Sequence, residues 1–208
     1  MSQSFAWAAI ASALALASSQ AQGPSNAAPA VRSSYRAELA PAVDAFVEKN
    51  IAAWLDAYTD LHAHPELSLN EVESARKMAE RLAAAGYAVT PGVGGTGVVG
   101  VLKNGEGPTI LIRGDMDALP IVEETELPFA SRVTAKNAEG LDVGVMHACG
   151  HDVHQTVLFA TAQALSTMRD KWRGTVLIVA QPAEEIGRGA KMMIDDGLFE
   201  RFPKPDAC

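Results

Sequence analysis

A chain of 208 residues with 48% hydrophobic and 20% charged side chains has apolar mass for one sizeable core, which argues against a disordered segment. The formal net charge of -8 is accompanied by no basic stretch. That argues against a nucleic-acid or anionic-membrane partner and leaves small molecules as the expected ligands.

In chain order, Phe5 to Ala17 is an apolar run followed by Ser18-Ser19-Gln20-Ala21-Gln22-Gly23-Pro24. It is short for a membrane span and ends in small residues, so residues 1–21 are expected to be an export signal cleaved after Ala21. Met1 to Val31 contains no Lys or Arg, so the usual basic start is absent, which keeps an uncleaved anchor or a misassigned start as the alternatives. The mature chain is expected to be periplasmic or secreted, with no membrane contact once the signal is removed. Residues 22–39 read as a flexible spacer and 40–208 as the globular part. Two cysteines are too few for a disulfide framework, although a Cys149–Cys208 bridge is one alternative.

From Ala40 to His62, Val43, Phe46, Val47, Ile51, Trp54, Leu55, Tyr58 and Leu61 recur at three- and four-residue steps, the pattern of an amphipathic helix, and Pro65 stops it. Ser68-Leu69-Asn70-Glu71 has the spacing of a capping box for a second helix that buries Val72, Ala75, Met78, Ala79 and Leu82 and ends at Gly86. Tyr87–Val89, Gly97–Leu102 and Thr109–Ile112 are short β-branched runs between Gly-rich turns, hence strands. Gly97-Val98-Val99-Gly100 lacks the spacing of a phosphate loop. Glu123 to Ala138, carrying Pro128 and Phe129, reads as a loop forming a cleft wall. Val157, Leu158, Thr161, Ala164, Leu165 and Met168 give another expected helix, beginning near His154. Strand Thr175 to Ala180 follows, and then a helix with Met192, Met193 and Ile194, its Met pair in the core. Alternating strands and helices give an α/β class, three layers with helices on both faces of a largely parallel or mixed sheet.

The chemistry concentrates in Met146 to His154, nine residues holding one cysteine, three histidines and an aspartate. Cys149 and His151 are two apart, so in an extended segment both would leave the same face and share a metal. Thiolate with imidazole suits zinc, while imidazole also accepts manganese, cobalt or nickel. Glu184 and Glu185 follow Pro182 at the carboxyl end of a buried-type strand, and Asp115 and Asp117 follow another. Ligands of open α/β sheets bind at such strand ends, so the three loci are expected to converge on one edge.

The motifs Arg113-Gly-Asp-Met-Asp-Ala-Leu-Pro-Ile121, Met146-His-Ala-Cys-Gly-His-Asp-Val-His154 and Gln181-Pro-Ala-Glu-Glu185, with His64-Pro-Glu-Leu-Ser68 upstream, resemble the amidohydrolase branch of the two-metal aminoacylase/carboxypeptidase family. Its members include hippurate hydrolases, N-acyl-amino-acid amidohydrolases and plant auxin-conjugate hydrolases. The resemblance runs from about Ala40 to the last residue. It implies two divalent ions (Zn, Mn, Co or Ni), Cys149, His151 and Glu185 as ligands, Glu184 as catalytic base and Asp117 as the group that orients the site. Asp115, Asp152 and His154 are expected in support of the ligands or against substrate. The implied reaction is hydrolysis of the amide of an N-acyl amino acid, with carboxypeptidase or dipeptidase activity the alternative in the same fold. The resemblance also implies further histidine ligands and a lid and dimerisation domain beyond Cys208. The chain would then be an inactive amino-terminal fragment, and any homodimer would form through the missing domain.

Overall fold

The computed structural model describes residues 36–208, so the expected signal and most of the spacer lie outside the described residues. A 3-10 turn, Ala37–Leu39, leads into α1 (Ala40–Ala63), whose Pro41 occupies a first-turn position where a missing N–H costs nothing. α1 ends just before Pro65, and α2 (Val72–Ala84) ends at Gly86, which has φ +82°. The expected capping box does not form. The α2 amino terminus is capped instead by Glu66, whose carboxylate accepts the Glu73 and Ser74 N–H groups at 3.0 and 2.8 Å. That releases Ser68 and Glu71 for other contacts.

β1 (Ala88–Val93), β2 (Gly97–Asn104), β3 (Thr109–Asp115) and β6 (Gly174–Gln181) form one sheet in the order β1-β2-β6-β3. β1 and β2 are antiparallel, as are β2 and β6, whereas β6 and β3 run parallel. The sheet is therefore mixed. Side chains alternate as the pleat requires. Val98 and Leu102 of β2, with Val176, Ile178 and Ala180 of β6, pack against Trp54 of α1, Met78 and Leu82 of α2, and Leu158, Phe159 and Ala162 of α3 (His151–Thr167). Val99, Leu177 and Val179 face the other way, onto Met193 of α4 (Gly189–Asp195) and Leu198 of α5 (Leu198–Arg201). Helices thus cover both faces, as expected.

Several expectations are corrected. In α1 only Trp54 and Leu61 of the apolar stripe are fully buried, while Val43, Val47, Ile51 and Leu55 are exposed. Val72 is exposed and Ser74 takes a buried place on α2. On α3 the residues against the sheet are Gln155, Leu158, Phe159 and Ala162, while Val157 faces outward at 57% exposure. Val157 and Val153 flank an apolar groove against the exposed residues of α1. Of the expected Met pair, Met193 alone is fully buried. The segment expected as a loop contains strand β4 (Thr134–Lys136), paired antiparallel with β5 (Asp142–Gly144). Three-residue strands are too short to show a period; their turn is held by Asn137 Oδ1, which accepts from the Glu139 and Leu141 N–H groups. At the other end of the chain, the backbone of Asp206 and Ala207 joins β3 in a parallel bridge at Ile110. It therefore heads toward the edge that carries Asp115.

Candidate metal centre

Because β3 and β6 are parallel and pair Asp115 with Gln181, their carboxyl ends meet at one level. Asp115 closes β3, Asp117 lies two residues on, and Glu184 and Glu185 follow β6. The third locus arrives differently from expectation. Ala148 and Cys149 form a turn rather than an extended segment, and Gly150, at φ +78°, precedes α3, which starts at His151, three residues before His154. His151 is consequently the first residue of a helix, and His154 sits one turn later on the same side.

The His151 ring lies at the centre. Its Nδ1 is 2.7 Å from the Asp117 carbonyl and 3.3 Å from the Asp117 carboxylate. Its Nε2 faces Asp115 Oδ1 at 3.5 Å, Glu184 Oε2 at 3.7 Å and Glu185 Oε1 at 3.8 Å. His154 Nδ1 meets Asp115 Oδ1 at 2.6 Å, and the two imidazoles stack with centroids 5.5 Å apart. Arg113 Nη1 donates to the other Asp115 oxygen at 2.7 Å. Two groups of donors result, Asp115/His151/His154 and His151/Glu184/Glu185, each with ligand atoms within 4.8 Å of one another. Cys149 joins neither group; it is exposed and unbridged, as is Cys208. A hydrogen bond to Glu185 holds its thiol above the usual range.

The electrostatics favour a cation. Burial pushes the His151 imidazole down, but the Asp117 hydrogen bond and the Asp115 charge outweigh it and raise the pKa to about 9. Burial acts against ionisation of Asp117 as well, yet hydrogen bonds from His151, Ser68 Oγ (2.6 Å) and the Glu185 N–H (2.9 Å) bring it down to about 2. Glu185 Oε1 is buried with no hydrogen-bond partner among the described residues. A carboxylate oxygen left so beside an imidazole fits a metal ion, and carboxylate, imidazole and thiolate are its usual donors. Glu185 is the more enclosed of the adjacent pair, its side chain 14% exposed against 40% for Glu184.

The turn carrying these glutamates is fixed by a residue taken from the sequence as a helix cap. Glu71, fully buried, accepts from the Ala183 N–H at 2.8 Å, the Leu69 N–H at 2.9 Å and Thr96 Oγ1 at 2.6 Å. Ala183 has φ +48°, a conformation side chains resist, and its carbonyl accepts the Arg188 and Gly189 N–H groups.

Asp152 turns to a second cluster. Its Oδ2 lies 2.6 Å from His62 Nδ1, while His62 Nε2 lies 3.0 Å from Glu123 Oε1. Glu123 also accepts from Thr125 Oγ1 and from the Ser131 N–H. Burial lowers the His62 pKa, and the two carboxylates more than reverse it, leaving it raised. Phe129 stands edge-on to this ring at 5.3 Å. Sequence reading overlooked His62 in favour of His64, which is exposed and bonded to the Asp60 carbonyl. The overlooked signal was the position of His62 in the last turn of an apolar stripe, next to Leu61. His147 is likewise buried, and burial pushes it down to about 4.

Residues 111–208 match the peptidase family M20/M25/M40. The N-acetylcysteine deacetylase of Bacillus subtilis is 43% identical over 157 residues, covering 71% of this chain and 39% of the relative. The hippurate hydrolase of Campylobacter jejuni is 45% identical over 143 residues, covering 68% of this chain and 34% of the relative. Among solved structures, the Bacillus subtilis YXEP protein, described as a dinuclear metal-binding peptidase of the M20 family, superposes with a TM-score of 0.63 at 39% identity, over 74% of this chain and 40% of that one. The chain thus spans a little over a third of the length of the two relatives. Residues 111–208 thus carry a peptidase M20 domain, and the relatives that the chain matches are covered over their amino-terminal part.

Proposed function

We propose that this chain carries part of the machinery of a metal-dependent amidohydrolase that cleaves N-acyl amino acids. The observation that carries the reading is the adjacent carboxylate pair at His151, one enclosed with an unpartnered oxygen and one nearer solvent. Relatives named as a deacetylase and a hippurate hydrolase favour an acyl group over an aminoacyl group. Cys149, His151 and Glu185 would hold divalent metal, with two ions (Zn, Mn, Co or Ni) per site. The chemistry such ions supply is acidification of water and polarisation of the scissile carbonyl.

Glu184, set 3.7 Å from His151 Nε2, takes the proton from the attacking water on its carboxylate and returns it to the leaving amine. The Asp117 carbonyl holds the His151 ring at Nδ1 and the Asp117 carboxylate anchors the glutamate turn through the Glu185 N–H, so one residue orients both. Asp115 is the meeting point of His154 and Arg113 and steadies the outer side of the cluster.

In this reading the 208 residues are an inactive portion of the enzyme, in keeping with the share of the relatives they span, and residues 1–21 direct export. The test is hydrolysis by the full-length protein of a panel of N-acyl amino acids and dipeptides, before and after metal removal. Metal-dependent turnover of the acyl substrates is expected. Turnover of dipeptides alone would favour the peptidase reading, and turnover that survives complete metal removal would overturn both.

A further inference from the structure

His62, Asp152 and Glu123 form a buried triplet that the proposed chemistry does not use. His62 Nδ1 lies 2.6 Å from Asp152 Oδ2, and its Nε2 lies 3.0 Å from Glu123 Oε1. A neutral imidazole has one N–H, so serving two carboxylates takes the protonated ring, whose charge offsets part of theirs. Tyr58 and Phe129 flank the ring, with centroids 5.7 and 5.3 Å away. The triplet joins two stretches that carry the metal site. Asp152 directly follows His151 at the start of α3, and Glu123 lies six residues after Asp117. On the metal side the same two stretches meet where His151 Nδ1 reaches the Asp117 carbonyl at 2.7 Å. They are therefore pinned at two points, through consecutive helical residues that project about 100° apart.

One contact alone would leave the first turn of α3 free to pivot about the His151 ring. Gly150 offers that turn no side-chain cap, and Asp152 Oδ1 accepts the Val153 N–H at 2.8 Å instead. Asp152 thus commits one oxygen to the helix end and the other to His62. The far end of the triplet is anchored as well. Glu123 accepts the Ser131 N–H, and Ser131 Oγ donates to the Val145 carbonyl at 2.7 Å, four residues before Cys149. We propose that His62 is a positioning residue for the metal centre: through Asp152 it sets the first turn of α3, and so the place of the His151 imidazole relative to Glu185. The proposal rests on the reading of His151 and Glu185 as metal ligands. Without the imidazolium, Asp152 is a buried carboxylate lacking its partner, and turning toward water to regain hydration displaces the turn that carries His151.

The test reads metal binding rather than turnover. Zinc affinity is measured by competition with a chelator, and the visible spectrum of the cobalt(II) form is recorded, for the full-length protein and for H62Q, E123Q and L198A. Leu198 is buried on the opposite face of the sheet, so L198A lowers stability without touching the triplet. H62Q is expected to bind zinc about tenfold more weakly than wild type and to shift the cobalt spectrum, since Gln cannot span both carboxylates. E123Q keeps the His62–Asp152 bond and should fall between the two. L198A should lower the melting temperature and leave affinity and spectrum unchanged. Wild-type affinity and spectrum in folded H62Q, or equal weakening in L198A, would overturn the proposal. If H62Q fails to fold, E123Q decides by the same two readouts, and wild-type values there overturn it. Failure of the two readings is separable. His62-dependent metal binding with no turnover of any N-acyl amino acid would sink the amidohydrolase reading and leave the positioning role standing. Metal-dependent turnover with binding indifferent to His62 would do the reverse, and no metal binding by wild type would overturn both.

Discussion

Removing the Glu71 carboxylate should destabilise the protein out of proportion to a single side chain. Three donors converge on it, and one of them, the Ala183 N–H, is buried. A hydrogen bond to a charged group contributes roughly 1.5–3 kcal/mol, and a buried donor left without a partner bears its full desolvation cost of about 1–3 kcal/mol. Leu69 and Thr96 are only partly buried and recover part of their loss from water. Glu71→Ala is therefore expected to cost about 4 kcal/mol, with the Ala183 N–H as the largest contributor because it is the buried donor of the three. Glu71→Gln keeps the shape and one accepting oxygen, and the Thr96 hydroxyl can rotate to accept from the new amide, so its cost should be nearer 1–2 kcal/mol. Urea unfolding followed by circular dichroism on the full-length protein measures both, and a double-mutant cycle with Thr96→Val isolates the Thr96 share. A Glu71→Ala protein within about 1 kcal/mol of wild type, or a Gln variant as damaged as the Ala variant, would refute the reasoning.

His62 predicts a pH dependence. Its folded pKa is raised above the unfolded value of about 6.5, so its contribution to stability is complete below that value and is lost as pH rises through the folded pKa. Stability measured upward from about pH 6 should fall more steeply in wild type than in His62→Gln, and identical slopes would contradict the Asp152–His62–Glu123 clamp. Two glycine substitutions should differ in severity. A Cβ on Gly189 would lie 1.5 Å from the Pro182 carbonyl oxygen, so Gly189→Ala must displace the turn that carries Glu184 and Glu185 and should prevent folding or lower the melting temperature severely. Gly150 has open space around it and only φ +78° to maintain, so Gly150→Ala should cost about 1–2 kcal/mol, and equal melting temperatures for the two variants would contradict both arguments.

The sheet and its helices were legible because their signals are local and repeated. β-Branched runs between turns marked β2, β3 and β6, while Pro65 and Gly86 marked helix ends. What escaped depended on partners distant in sequence. Ser68 and Glu71 have the spacing of a capping box, yet Asp117, Thr96 and Ala183 offer stronger demands for an acceptor or donor, and Glu66 takes over the cap. On α3 the stripe from Val157 to Met168 matched the helical period, but the sheet selects the face through Leu158 and Phe159, a choice that periodicity cannot make. The convergence of Asp115, His151 and the glutamate pair was readable from strand ends; the delivery of His151 by a helix was not, because it hinges on the left-handed conformation of Gly150. His62 was hidden inside an apolar stripe whose last turn turned out to be a charged clamp.

The central claim is that adjacent glutamates divide the labour, Glu185 binding metal and Glu184 moving the proton. Glu184→Gln and Glu185→Gln in the full-length protein, each assayed for bound metal by elemental analysis and for hydrolysis of an N-acyl amino acid, test it most directly. The account predicts that Glu184→Gln retains its metal and loses most turnover, because an amide keeps the shape but cannot accept a proton, while Glu185→Gln loses metal and turnover together. Equal metal loss in the two variants, or activity retained in Glu184→Gln, would contradict it.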